Sequence, residues 1–163
     1  MYSPQDFVTV YQRESELCVR LFRRIPSGGL DYRPTPGQRS TLELLRYLSY
    51  GPYNVIQRVL AGDWTLGRPT AEVVKDMPAS DFPRNMRWQS GEVARLVLAA
   101  DPVRLENDSF TFPWGETLKK GPALVNHPLQ WLVAYKLQLF LYLKATGVKD
   151  IGTADLWRPP SAE

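Results

Sequence analysis

The chain has 163 residues, of which 44% are hydrophobic and 23% charged, and its formal net charge is +3. These values are typical of one globular domain and exclude a wholly disordered or collagen-like chain. Cys18 is the only cysteine and His127 the only histidine. The composition therefore also excludes a disulfide framework, a cysteine-based zinc cluster and any metal site that needs two imidazoles.

The basic residues do not form the dense stripe that is typical of nucleic-acid-binding proteins. The densest groups are Arg20 with Arg23 and Arg24, and Lys119 with Lys120, and we interpret both groups as solvated surface. We therefore expect no nucleic-acid partner.

The first residues lack the apolar region of a signal peptide. The longest apolar stretch, Leu129–Leu143, is interrupted by Lys136 and by two glutamines, so it falls short of the ~18 uncharged apolar residues that span a bilayer. The sequence predicts no membrane span and a cytoplasmic location.

Two long helices are predicted in the N-terminal half. The first begins at Ser3–Pro4, where serine suits the cap and proline the first turn, and it ends near Ile25. Proline and glycine residues then predict a loop over 26–39. The second helix begins with a capping box at Ser40–Glu43 and continues to about Leu60, with a kink or break at Gly51–Pro52.

Two further helices are predicted in the C-terminal half. Residues 61–80 are irregular, and a third helix runs from a cap at Asp81 to about Ala100. Residues 103–125 form a long loop with at most one small hairpin, near residues 104–113. The last helix opens at Asn126–Pro128, where proline favours an extended His127, and it continues from Leu129 to Ala145.

The helix pattern predicts an all-α fold. The last helix is apolar on nearly every side, which is typical of a helix buried in a domain, and four such helices predict a four-helix bundle with long crossover connections. We expect one domain over residues 1–150 and a tail over residues 151–163 that packs on the bundle. Cys18 is expected to be a buried, inert thiol.

Two segments resemble motifs of the DinB/YfiT-like family. Residues 131–147 resemble its last helix, whose pattern is His-x3-His-Arg-Gly-Gln-Leu followed by Tyr-Leu-Arg and a glycine. Residues 41–48 resemble its second helix, which reads Ser/Thr-Leu-x-Leu-Leu-Arg-His-Leu. The resemblance covers residues 3–150 and implies a four-helix bundle of DinB/YfiT type. Gln138 matches a family position and is expected to make a structural hydrogen bond.

The resemblance also implies where a metal would bind. Many family members hold a divalent metal with three histidines, and some use low-molecular-weight thiols as transferases or isomerases. Here the three positions hold Tyr47, Trp131 and Tyr135. His127 lies about 12 Å along the helix from Tyr135, at ~1.5 Å per residue, so it cannot replace a ligand. We therefore expect a degenerate site with no metal and no cofactor.

Aromatic residues at these positions suggest a pocket in place of the metal. Tyr47, Tyr50 and Asn54 share one helix face if the second helix is continuous, and Trp131 and Tyr135 face them from the last helix. His127 lies at the mouth, where it could act as a general acid or base. We expect the hydroxyls of Tyr47 and Tyr135 to pair. The alternative interpretation of this set is ordinary core packing.

Two functions remain open at this point. The first is a DinB-like module that binds a small molecule or a partner without the metal site. The alternative is an enzyme, a thiol-dependent transferase that works without the histidine triad or with a metal elsewhere, and its catalytic residues stay undefined. Because several family members dimerise, the resemblance also implies a homodimer.

Overall fold

The computed structural model describes residues 3–158, and helices dominate it. The helices and strands in chain order are α1 (Pro4–Phe22), α2 (Thr41–Leu48), α3 (Gly51–Ala61), α4 (Thr70–Val74), α5 (Phe82–Leu98), α6 (Pro102–Asn107), β1 (Ser109–Thr111), β2 (Thr117–Lys119), α7 (Lys120–Leu124), α8 (Gln130–Ala145) and α9 (Ala154–Trp157). A π-helical turn, Val125–Leu129, joins α7 to α8. Short 3-10 turns lie at Gly29–Asp31 and Ala79–Asp81.

The cap predicted at Ser3 and the capping box predicted at Ser40–Glu43 are both present, and Ser3 also forms a capping box, with Asp6. The Ser3 hydroxyl accepts from the backbone of Asp6 at the start of α1, and the Ser40 hydroxyl accepts from the backbone of Glu43 at the start of α2. In turn, the carboxylate of each acid accepts a hydrogen bond from the backbone N–H of its serine. These local bonds satisfy donors that a helix start leaves free, which explains why both starts are visible in the sequence. α1 ends at Phe22, short of the predicted Ile25.

The second predicted helix is divided. α2 ends at Leu48 and α3 begins at Gly51, and between them Tyr50 adopts φ −147° and ψ −28°. Pro52 lies in the first turn of α3, where its missing N–H costs nothing. The break turns α3 relative to α2, so residues on the two helices no longer follow one periodic face.

The predicted hairpin is present, but its position differs from the prediction. β1 pairs antiparallel with β2, and Phe110 lies opposite Leu118. Residues 102–107, which partly overlap the expected hairpin, are helical because Asp101 caps α6 and Pro102 opens it. α5 ends at Leu98, close to the end near Ala100 that the sequence predicts, and α6 is an additional helix.

The start of the last helix differs from the prediction. α7 begins at Lys120, and His127 lies inside the π-helical turn rather than in an extended entry. Pro128 is within that turn, where the wider backbone spacing accommodates a residue that has no N–H to donate. The helical path therefore carries His127 on the same element as Trp131 and Tyr135.

The bundle is built around α1. This helix packs on α5 and on α8, while α2 packs on α8 and α3 on α5. The core is formed by fully buried side chains of all these helices, including Tyr11, Leu17, Leu44, Ile56, Met86 and Leu132. The all-α bundle expected from the sequence is confirmed.

The C-terminal segment contacts α1 and α8 through α9. Leu156 is buried, whereas Trp157 is 57% exposed. Of the tail over 151–163, residues 159–163 lie outside the described residues. Within the described part of the chain, no helix has both the length and the apolar character required to cross a membrane.

Candidate functional site

Tyr47 on α2 and Tyr135 on α8 meet in the structure. Their ring centroids are 4.9 Å apart and the ring planes are inclined by 67°, which is an edge-to-face contact. Within residues 3–158, the two hydroxyls do not form the hydrogen bond that was expected between them, and the tyrosines meet through their rings only. Gly51 lies against the Tyr47 ring, and a Cβ added to this glycine would lie 3.1 Å from the nearest ring atoms.

Arg39 covers this tyrosine pair from the loop before α2. Its guanidinium carbon is 4.4 Å from the centroid of the Tyr47 ring and 5.5 Å from that of the Tyr135 ring. Both distances are within the range of a cation–π contact. The Arg39 side chain is exposed and forms no ion pair within residues 3–158.

A short chain of hydrogen bonds holds the backbone of Arg39 in place. The amide of Gln138 donates to the hydroxyl of Tyr142 over 2.6 Å, and that hydroxyl donates to the Arg39 carbonyl over 2.8 Å. The hydrogen bond expected for Gln138 is therefore confirmed. Because Tyr142 lies two helical turns after Tyr135, α8 supplies one of the rings and also anchors the loop that carries the cation.

The environment of Tyr47 keeps its hydroxyl neutral. Burial, with a smaller contribution from the neighbouring Tyr135, raises the pKa of Tyr47 to about 12, and the Arg39 charge partly opposes the rise. Loss of water around the phenolate explains the direction, because burial disfavours the charged form. At neutral pH Tyr47 is therefore a hydrogen-bonding phenol.

His127 and Trp131 belong to a second cluster, which involves the β-hairpin. The imidazole Nε2 lies 2.7 Å from Oε2 of Glu116, in the turn between β1 and β2. The ring centroid of Trp114 is 5.3 Å from His127 and 6.3 Å from Trp131. Since Trp131 and Tyr135 are one turn apart on α8, this cluster lies next to the tyrosine pair along the helix.

Tyr50 and Asn54 lie apart from these two clusters. Tyr50 stacks on Trp88 of α5 at 6.4 Å. The Asn54 amide donates to the carbonyl of Arg68 and to the hydroxyl of Thr70, while its Oδ1 is buried and has no hydrogen-bond partner within residues 3–158. The break before α3 is the reason, because it rotates these residues away from the face that carries Tyr47.

Arg39 and Glu116 were not among the site residues predicted from the sequence. Both lie in segments that the sequence predicts as loops, and neither is part of a periodic pattern. A cation directly before a capping box was visible in the sequence, but nothing local places it over Tyr135. Among residues 3–158, no group of three or more histidine, cysteine, aspartate or glutamate side chains is arranged to hold a metal ion.

The fold is similar to a crystal structure of a DinB-like protein, YjoA, from Bacillus subtilis, with a TM-score of 0.68. The similarity covers 90% of this chain and 94% of that chain, at 13% sequence identity. This chain has a DinB-like fold. The fold implied by the two sequence motifs is thereby confirmed. No protein-family model matches the sequence, and no curated protein matches it.

Proposed function

We propose that the chain is a cytoplasmic small-molecule binding module that has lost the metal site of the DinB-like proteins it resembles. The observation that carries the proposal is the position of Arg39 over the rings of Tyr47 and Tyr135. Guanidinium donors without an acidic partner bind carboxylates and similar anions. The ligand is therefore a small molecule with an anionic group, seated beside the two rings.

The side chains at the three former ligand positions do not fit a divalent metal. The indole of Trp131 has no lone pair to offer, and Tyr47, with a pKa raised to about 12 by burial, stays protonated near neutral pH. Arg39 adds a positive charge beside both tyrosines, which opposes the approach of another cation. No step of the proposed function passes through a metal.

Elemental analysis tests the loss of the metal site. Untagged protein purified without chelator is expected to hold less than about a tenth of an equivalent of zinc, nickel, iron or manganese. The matched variant carries Tyr47→His, Trp131→His and Tyr135→His together and is expected to gain metal. Close to one equivalent in the unmodified protein would contradict the proposal, as would a histidine variant that folds and binds none.

Ligand binding is tested with a panel of small aromatic and aliphatic carboxylates, with benzoate as the first probe. Arg39→Gln is expected to weaken binding by about tenfold, because a hydrogen bond to a charged group is lost. Tyr135→Phe is expected to lower the affinity without changing the free energy of unfolding. Arg68→Gln and Tyr50→Phe are matched controls away from the pair. Absence of binding, or equal binding by Arg39→Gln and Arg68→Gln, would contradict the proposal.

The contact between His127 and Glu116 favours one second candidate. A carboxylate that holds one imidazole nitrogen orients the ring as a general base, and the distance here is 2.7 Å. In a thiol-dependent transferase acting on an aryl halide, His127 would take the thiol proton, the sulfur would form a bond to the ring carbon, and the halide would leave from that carbon. Turnover of an aryl halide with a panel of thiols, lost in His127→Ala and reduced in Glu116→Gln, would support this candidate. Absence of turnover with every thiol would exclude it for that electrophile class.

We also propose a homodimer, which rests on the resemblance to DinB-like proteins. Several helices expose large apolar side chains, among them Leu98 at 50%, Val103 at 64% and Leu141 at 54%. Burial of such side chains between two copies would remove apolar surface from water.

A further inference from the structure

A polar groove runs along the seam between α1 and α5, and none of its lining residues belongs to the tyrosine pair or to the histidine cluster. Its volume is ≈920 Å³, within the range of small-molecule sites. α1 and the residue that caps its end line one side, and α5 lines the other with Met86, Arg87, Ser90 and Gly91.

The groove carries a net positive charge. Arg20, Arg23 and Arg87 line it together with a single acid, Glu16, which leaves a net charge of plus two. Arg20 is held in position by the carbonyl of Arg158, to which its Nη1 donates over 3.0 Å, and its charge is partly balanced by Asp155 at 3.8 Å. Arg23 and Arg87 form no hydrogen bond or ion pair through their side chains within residues 3–158.

A hydroxyl in the groove has no partner. The Oγ of Ser90 is buried, and no hydrogen-bond partner for it occurs within the described residues. Because this oxygen has almost no accessible surface, a ligand in the groove contacts the guanidinium groups. Ser90 and its neighbour Gly91 mark the α5 side of the groove.

We propose that this groove binds a phosphate monoester of a small organic molecule. A phosphate monoester carries about two negative charges near neutral pH, which suits the two arginines of the groove, Arg23 and Arg87, that have no ion pair within the described residues. Arginine binds phosphate oxygens through paired N–H donors. The groove is larger than a phosphate group, and the buried side chains of Val19 and Met86 provide an apolar floor for the organic part.

The test is a titration of the full chain with phenyl phosphate, followed by the backbone amide signals in NMR spectra. The amides of Ser90 and Gly91 are expected to shift with phenyl phosphate, to shift less at the same concentration of inorganic phosphate, and to stay unchanged with phenol. Arg23→Gln with Arg87→Gln is expected to weaken binding by at least about tenfold, since charge-assisted bonds are lost.

The matched control is Arg84→Gln, which removes an equal charge one turn earlier on α5 from an arginine that pairs with Asp81. Its affinity for phenyl phosphate is expected to stay within about twofold, because exposed charges contribute little. Equal losses in Arg84→Gln and Arg87→Gln would overturn the proposal, since they would show diffuse attraction. Equal shifts with phenol, or no shifts with phenyl phosphate, would overturn it as well.

Two additional arms distinguish binding in this groove from binding at the tyrosine pair and from a contact between two copies. Arg39→Gln is expected to leave the phenyl phosphate affinity measured from the Ser90 and Gly91 signals unchanged, so failure of the carboxylate site and failure of this groove are distinguishable. A loss of these shifts in Arg39→Gln would assign them to binding at the tyrosine pair and overturn the proposal. Shifts of the Ser90 and Gly91 signals that follow the protein concentration rather than the probe would identify a contact between copies and overturn it too.

Discussion

At the scale of single residues, Glu14 and Lys136 form a buried ion pair that the sequence pattern did not predict. Lys136 is 1% exposed, contacts the Glu14 carboxylate and donates to the carbonyl of Leu156 over 2.6 Å. It thereby links α1, α8 and the C-terminal segment. In the sequence it is only an interruption of an apolar stretch.

Lys136→Ala is expected to lower the free energy of unfolding by about 3–5 kcal/mol, because it leaves the carboxylate of Glu14 buried without a partner. Urea denaturation measures the change. Lys144→Ala, on the exposed side of the same helix, is the control and is expected to change stability by less than about 0.5 kcal/mol. A double variant, Glu14→Leu with Lys136→Met, is expected to recover part of the loss. Equal effects of the two single lysine variants would contradict the buried pair.

Cys18 is expected to be inert in the native protein. Its side chain is fully buried, and burial raises the pKa of the thiol to about 12, so very little of the reactive thiolate exists even at pH 9. A disulfide reagent such as dithionitrobenzoate is expected to label the thiol after unfolding in guanidinium and not before. Stoichiometric labelling of the folded protein within minutes would disagree with this environment.

At the scale of elements, the break between α2 and α3 determines which tyrosines meet. Because the helix restarts at Gly51, Tyr47 stays against α8 while Tyr50 turns toward α5. The glycine also allows close approach of the Tyr47 ring. The position of this ring therefore depends on the residue that opens the next helix.

Two glycine-to-alanine variants distinguish the effect of helix propensity on stability from the effect of close packing against a side chain. Gly91→Ala, within α5, meets no atom within 4 Å of the added Cβ, and it is expected to raise the free energy of unfolding by about 1 kcal/mol through helix propensity. Gly51→Ala is expected to lower it, because the Cβ would lie 3.1 Å from the Tyr47 ring. Urea denaturation measures both. A stabilising Gly51→Ala would show that the ring moves freely.

At the scale of the whole molecule, the homodimer is open to direct measurement. Sedimentation equilibrium is expected to give twice the chain mass of 18.6 kDa, because association would cover apolar side chains that the single bundle leaves exposed. Dilution is expected to return the single-chain mass. A constant single-chain mass at every concentration would contradict the dimer.

The features that the sequence predicted well are those encoded within a few neighbouring residues. The capping boxes at Ser3 and Ser40 and the break at Gly51–Pro52 depend on bonds or steric limits inside one turn. The apolar character of the last helix follows directly from its composition. The two motifs over 41–48 and 131–147 were sufficient to predict the DinB-like fold.

The misplaced elements show where local signals compete. Asp101–Pro102 follows the end of α5, as predicted, and the same pair also caps and opens α6, a helix that the sequence did not predict. Pro128 favours an extended residue before it, yet the surrounding helix absorbs the proline in a π-helical turn. At Pro128 the local preference was overridden because several tertiary contacts outweigh one dihedral preference.

By itself, the sequence determined an all-α bundle, most of its helix starts and aromatic residues at the three positions where the resemblance implies metal ligands, because these are properties of residue type and short spacing. The tertiary structure decided that Arg39 lies over Tyr47 and Tyr135 and that six candidate residues divide among separate clusters. It also decided that Glu14 pairs with Lys136, 122 positions away along the chain. Contacts at such separations depend on the packing of the whole chain, which no local pattern specifies.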